Sequence, residues 1–484
     1  MAISLNDFPS NKSQIKSKYD VIILGAGIGG LICGAFLAKS EKKVLIIEQH
    51  SIPGGYCTSF KRKGFIFDAA VHHIGGCGKW SIVGRSLKEL DININFLRLD
   101  PMDSINFPSF SIDIPAELDD YINLLKQNFP SESENLSSFF KEFVGLYRST
   151  VRIEGSKLLT KYKDTTYKEM LDKFFADEKL KMTLSAQWGY IGSKPHEVSA
   201  IGMCQMLVNY LKDGAFYPMG STQKFADAIA QKFIDYGGQI MLSSLVNKIY
   251  TKDALAKGVI TDKGKEFFTD ILVSNIDPKQ TFFKLIEEKE VNNSYLHKIQ
   301  SMKESISFFL LYLGLDGDID LKSLKRGFYH TSDDINFSNG WFYISIPTEI
   351  DPNLAPDKKQ IITIVASLKS KYDDIKDWAA FKEKMKKHTI NYLENFIPNI
   401  QNHIEVIETA TPKTLNRYTL NSKGAAYGWA VTVDQTWSKR LQHTTPLKNI
   451  FLAGHWTNPG PGICAVVSSG WKVANLILSR RIKK

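Results

Sequence analysis

Cysteine is scarce in this chain. Five residues, Cys33, Cys57, Cys77, Cys204 and Cys464, are scattered over 484 positions. None forms a C-x-x-C pair, so neither a zinc site nor a disulfide framework is expected, and no metal is assigned. Apolar runs are short: no stretch of about 18 apolar residues occurs, which argues against a spanning helix. Residues 1–18 are polar and carry lysines without an apolar stretch, so no secretory leader is expected. A reducing cytoplasm is the expected compartment. Internal repeats, low-complexity tracts and catalytic triads are also missing, and there is no second dinucleotide fingerprint.

Anionic charge is the minority, and the formal net charge is +10. The lysines are dispersed and no nucleic-acid motif accompanies them, so nucleic-acid binding is not expected. The clusters Lys61-Arg-Lys63 and Arg480-Arg-Ile-Lys-Lys484 read as solvated surface. A second reading is a patch for anionic lipid, placing the protein peripherally on the inner face of a membrane.

What is present is a dinucleotide fingerprint in full context. The apolar run Val21–Leu24 leads into Gly25-Ala-Gly-Ile-Gly-Gly30, a helical pattern follows, and a second apolar run, Val44–Ile47, ends at Glu48. Gly25 allows the tight turn, Gly27 lets backbone approach a pyrophosphate, and Gly30 lets the helix pack on the strand. The diphosphate then sits at the helix N-terminus, and Glu48 can accept from ribose hydroxyls. Ala26, Gly29 and Gln49 are assigned to the same site. FAD is favoured over NAD. A second glycine pair, Gly54-Gly55, can bring another backbone segment to the pyrophosphate, and Thr58 and Ser59 can add hydroxyl donors.

Further along, residues 86–200 are lysine-rich and amphipathic, mostly helical in pattern, with Pro101, Pro108, Pro115 and Pro130 as breakers. A helix is expected over 222–236, stopped by Gly237-Gly238, followed by short strands over 239–242, 246–250, 258–261 and 271–274. Val246 is assigned to the cofactor site. A last strand over 449–452 enters Ala453-Gly-His-Trp-Thr-Asn-Pro-Gly-Pro-Gly462, and a helix runs over 463–479. Its N-terminus, with Gly454, His455, Gly462 and Ile463, is placed at the pyrimidine edge of a flavin, where the helix dipole favours negative charge.

These motifs together resemble the phytoene desaturase, carotenoid isomerase and retinol saturase group of flavoproteins. The resembling residues include Gly25–Gly30, Glu48, Gly54-Gly-Tyr-Cys-Thr-Ser59, Phe67-Asp-Ala-Ala-Val-His-His-Ile-Gly-Gly76, Tyr217-Pro-Met-Gly220, Val273-Ser-Asn-Ile-Asp-Pro278 and Phe451–Gly460. The resemblance implies an α/β fold: a Rossmann-type FAD-binding domain of the glutathione reductase and amine oxidase kind, with an inserted mixed α+β substrate domain. The FAD-binding domain is expected to be discontinuous, over 17–85, 214–280 and 443–484. The substrate domain is expected over 86–213 and 281–442, with a helical cap that is either membrane-associated or an ordinary cover. Two positions depart from the pattern. Gly454-His455 stands where an acidic residue usually follows the glycine, and Gly220-Ser221 stands where a glycine pair is usual.

The implied activity is FAD-dependent desaturation, saturation or cis–trans isomerisation of a polyene isoprenoid. Such a hydrocarbon has no group to ionise, so the protein needs mainly an apolar tunnel and one bond placed against the flavin. His72, His73 and His455 are the candidate catalytic residues, as a proton donor or polar guides, against the plainer reading of loop histidines bonded to backbone. Asp68 is expected to be structural, and Trp341, Phe342, Tyr343 and Trp456 are wall or core. The partner is a hydrophobic small molecule, and the electron acceptor is open. Two other functions compete: a flavin oxidase of another small molecule, such as an amine or a secondary-metabolite intermediate, and a non-enzymatic prenyl-lipid binder.

Overall fold

The computed structural model describes residues 18–152, 157–368 and 371–479. The polar residues 1–17 and the basic cluster 480–484 lie outside the described residues.

The first strand, β1 (Lys18–Leu24), is followed by the helix α1 (Ile28–Lys39) and the strand β2 (Val44–Ile47). β1 lies in a mixed sheet, parallel to β2 on one side and to Glu266–Ser274 on the other. Gln239–Met241 extends the sheet beyond β2, and Ile450–Leu452 pairs parallel with the end of Glu266–Ser274. Two segments remote in sequence thus enter one sheet side by side. Both faces of β1 are covered, as its unbroken apolar run requires. Val21 and Ile23 pack under α1 and the helices Thr222–Asp235 and Ile463–Ser479. Ile22 and Leu24 pack on the other side, with the antiparallel strands Val246–Lys252 and Leu255–Thr261. α1 and the last helix cross closely: a Cβ on Gly470 would lie 2.4 Å from the Gly29 carbonyl oxygen.

A second sheet of seven strands runs in the order Ile404–Ala410, Phe308–Leu315, Gln360–Ser367, Trp341–Ser345, Gly327–His330, Asp103–Asn106, Ser111–Ile114. Its central strands are apolar without alternation because both faces are buried. Phe308, Leu310, Tyr312, Trp341 and Tyr343 face a helical cap, whereas Phe309, Leu311, Leu313 and Phe342 face the helix Trp378–Leu393.

One expectation is corrected here. Residues 86–200 are not helical throughout: they start in the helix Ile82–Glu89, but Phe96–Leu99, Asp103–Asn106 and Ser111–Ile114 are strands. The last two form the edge of the seven-stranded sheet, and Phe96–Leu99 pairs with Ala215–Pro218. Helices dominate only from Leu118 to Asp213. An edge strand carries polar residues and sits beside prolines, so its local pattern does not announce it.

Candidate active site

The site grows out of the turn after β1. Gly25 adopts φ +93°, which L side chains rarely adopt. Its amide donates to the Ile47 carbonyl at the end of β2, 2.9 Å away. Glu48 then reaches back: Oε2 accepts from the Ala26 amide at 2.7 Å and Oε1 from the His50 amide at 2.8 Å. Burial pushes the Glu48 carboxyl up, and these amide bonds oppose the shift. The carboxylate therefore ties the glycine turn to the end of β2 and still has lone pairs to offer.

Three segments converge on this turn. The Gly54 amide donates to the Ala26 carbonyl at 2.9 Å, bringing the second glycine pair against Gly27. Asn275, at the end of Glu266–Ser274, donates from Nδ2 to the Gly25 carbonyl at 3.2 Å. A Cβ on Gly454 would lie 2.6 Å from Asn275 Oδ1, so the C-terminal loop also closes on this side chain. α1 begins at Gly27 without a side-chain cap, leaving its first-turn amides to a ligand.

A cavity of about 570 Å³ runs from this cradle into the second sheet. Its wall includes Gly25, Gly27, Gly29, Glu48, Gln49, Gly54, Gly55, Thr58, Ser59, Val246, Gly454, His455, Gly462 and Ile463, together with His72 and His73. The far end is aromatic and aliphatic, with Phe308, Leu310, Tyr312, Phe328, Trp341 and Tyr343. Ala26 and Gly30 do not line it. Ala26 acts through its amide on Glu48, and a Cβ on Gly30 would lie 2.3 Å from the Gly25 carbonyl oxygen, so Gly30 serves helix–strand packing.

Two expected hydroxyl donors are already engaged. Thr58 Oγ1 donates to the Gly55 carbonyl at 3.0 Å, and Ser59 Oγ donates to Asp68 at 2.7 Å. Asp68 is the structural residue expected, also accepting from Tyr217 Oη and from the Thr222 amide and hydroxyl. Trp456 is core, donating from Nε1 to Asn421 at 3.1 Å.

The histidines sit in the wall. His72 Nδ1, His73 Nε2 and His455 Nε2 are enclosed and have no hydrogen-bond partner among the described residues. Burial, with Arg326 adding to it, pulls His72 down to about 3, and burial with Arg440 does the same to His455. Burial also holds His73 well below its ordinary value. All three rings are thus neutral near pH 7, which suits a polar guide better than a cationic proton donor.

Sequence reasoning missed the polar cluster behind them. The His72 ring stacks on Tyr343 at 4.0 Å between centroids. Tyr343 Oη donates to Asp103 at 3.0 Å and lies 3.4 Å from His73 Nδ1. Asp103 also accepts from Tyr190 Oη at 2.7 Å and Gln187 Nε2 at 2.8 Å. No local pattern could mark Asp103, because its partners come from segments far along the chain. Asn275 was visible within the motif Val273–Pro278, although its part in the turn was not.

The two-glycine cradle, the uncapped helix start and the buried carboxylate fit a dinucleotide. The family of NAD(P)-binding Rossmann-like domains matches residues 23–90. The chain is 25% identical to prolycopene isomerase 1, chloroplastic, of an Oncidium hybrid cultivar, covering 98% of this chain and 86% of that protein. It is 25% identical to all-trans-retinol 13,14-reductase of Danio rerio, covering 91% and 83%. With phytoene desaturase (neurosporene-forming) of Rhodobacter capsulatus the identity is 24%, covering 94% of this chain and 93% of that protein. Among solved structures, an oxidoreductase from Methanosarcina mazei superposes with a TM-score of 0.69 at 18% identity, covering 95% of this chain and 100% of that one. Putrescine oxidase gives 0.68 at 13% identity, covering 96% and 99%, which shows the shared fold. The chain is a homologue, over nearly its full length, of prolycopene isomerases, phytoene desaturases and retinol reductases.

Proposed function

We propose that the protein is an FAD-dependent oxidoreductase acting on a polyene isoprenoid, of carotenoid or retinoid kind, by desaturation, saturation or cis–trans isomerisation. The observation that carries this reading is the continuous cavity joining the glycine cradle to an aromatic chamber. One compartment can therefore hold a dinucleotide and an apolar substrate in contact. The homologues named above support the substrate class.

In this reading the first-turn amides of α1 and the Gly54-Gly55 backbone hold the pyrophosphate, and Glu48 holds the ribose. Val246 borders the adenosine half, while Gly454, His455, Gly462 and Ile463 border the flavin half. FAD bound there supplies hydride exchange with carbon. The chain's own residues do the rest. Phe308, Trp341 and Tyr343 position the polyene, and the seven-stranded sheet that carries them walls the chamber. His72 and His455, neutral and with a ring nitrogen unpartnered among the described residues, are the polar guides in the wall of this compartment.

A cytoplasmic protein that docks peripherally on a membrane fits this substrate. No helix among the described residues is long and apolar enough to cross a bilayer. The exposed Trp80, with the Lys79 ammonium 5.1 Å from its ring centroid, supports docking to anionic lipid.

Anaerobic incubation of the holoprotein with candidate polyenes tests the function, following flavin absorbance and product mass. A change of two hydrogens means desaturation or saturation, and a new isomer of equal mass means isomerisation. Protein that takes up no FAD, or that leaves every polyene unchanged, overturns the reading.

A further inference from the structure

We propose that Tyr343 is the proton donor and acceptor for the carbon substrate, with Asp103 as its positioning residue and proton reserve. This rests on the oxidoreductase reading above and adds a residue to it.

The chemistry requires such a group. Adding two hydrogens across a carbon–carbon double bond consumes a hydride and a proton, and removing them releases both. A flavin dinucleotide held in the glycine cradle would supply the hydride for saturation and accept it in desaturation. The proton must come from, or go to, the protein. In saturation the hydride brings its own electron pair to one carbon. The π pair then forms the second C–H bond with the proton that leaves Tyr343 Oη. The phenolate regains a proton from the Asp103 carboxyl, which solvent refills. Desaturation runs the same transfers backwards.

The placement fits. Tyr343 lines the cavity that the glycine cradle opens into, and its ring lies against His72 in the same wall. Its hydroxyl bonds inward to Asp103, a residue with no exposed surface. Asp103 has three neutral donors, Tyr343, Tyr190 and Gln187, and no ion-pair partner among the described residues. A buried carboxylate without an ion-pair partner is costly, so the group is poised to take up a proton. Burial pushes it up to about 6, against the pull of Tyr190, Arg326, Gln187 and Tyr343. The other titratable groups around it are His72, His73 and Tyr210. A purely apolar chamber has no structural need for this cluster.

The test uses the FAD-loaded protein. Infrared difference spectra taken as the bound flavin is reduced, with ¹³C-labelled aspartate, should contain a protonated-carboxyl band that Asp103→Asn removes. Tyr343→Phe should keep its FAD content and lose about 100-fold or more in turnover. Asp103→Asn should lose the limb near pH 6 from the pH profile of kcat. In D₂O the saturated product should carry one solvent deuterium at the carbon facing Tyr343. Protein that binds FAD without the carboxyl band overturns this proposal alone, as does full turnover in Tyr343→Phe. Protein that binds no FAD removes the oxidoreductase reading, and this proposal with it. If Tyr343→Phe fails to fold, the carboxyl band of the unsubstituted protein still decides.

Discussion

Asn275 Nδ2 donates to the Gly25 carbonyl at 3.2 Å, and this bond joins the end of the strand Glu266–Ser274 to the glycine turn after β1. The same carboxamide fills the space beside Gly27, Gly29 and Gly454. One side chain therefore sets the spacing of the glycine turn and the C-terminal loop. Asn275→Ala should lower FAD affinity about tenfold, near 1.4 kcal/mol, because a net hydrogen bond and the loop spacing are lost together. Equilibrium dialysis of FAD checks this, and unchanged affinity would show that the turn holds itself.

Ser221 adopts φ +107° while almost fully buried, at the start of the helix Thr222–Asp235. This is one of the two positions that depart from the family pattern, and the backbone there suits glycine. Such a conformation costs a non-glycine residue about 1–3 kcal/mol. Ser221→Gly should therefore raise the Tm. A lower Tm would show that the serine hydroxyl outweighs the strain.

Burial depresses His72, His330 and His455 to about 3 and His443 to about 4, from 6.5. Below pH 6.5 the unfolded chain takes up protons that the folded chain refuses, so stability falls as pH drops from 6.5 towards 3. Asp103, raised from 3.8 to about 6, has the opposite sign: its stabilisation is complete below 3.8 and is lost as pH rises to 6. His73 is lowered in the same way, and Glu48, Asp68, Asp227, Asp277 and Glu349 are raised by burial like Asp103, so the histidine contribution is read one residue at a time. His330 stacks on Phe107 at 4.5 Å, so His330→Phe keeps that packing and should move the acid-unfolding midpoint to lower pH. Tryptophan fluorescence during acid titration reads the midpoint, and an unmoved one would sink the assignment.

His72→Ala and His455→Ala should lower turnover more than FAD content, since each ring faces the cavity with one unpartnered nitrogen among the described residues. Parallel measurement of bound FAD and kcat separates the two effects. Equal loss of both would make the histidines cofactor ligands, and full turnover would remove them from the site.

Trp80 is 81% exposed beside Lys79. The protein should float with vesicles containing anionic lipid at low salt, and Trp80→Ala should weaken the association. Protein left at the bottom of the gradient with and without anionic lipid would end the membrane reading.

Much of this protein was settled by local sequence. The turn Gly25–Gly30, the helix behind it and Glu48 at the end of β2 are neighbours along the chain, and each states its own conformational need. The strand Ile450–Leu452 and helix Ile463–Ser479 are equally local patterns, and they stand where the sequence places them. The strands Asp103–Asn106 and Ser111–Ile114 were hidden, because their pairing is with Gly327–His330 and with each other rather than with an apolar period. Tertiary structure alone decided the rest. It turned Trp341 and Tyr343 into the cavity wall and Phe342 to the opposite face, through strand alternation in a sheet whose two faces are both buried. It set Asp103 against Tyr343, separated by 240 positions, and Asn275 against Gly25, separated by 250. A hydrogen bond acts over about 3 Å and is blind to sequence separation, so only the folded chain brings its partners together.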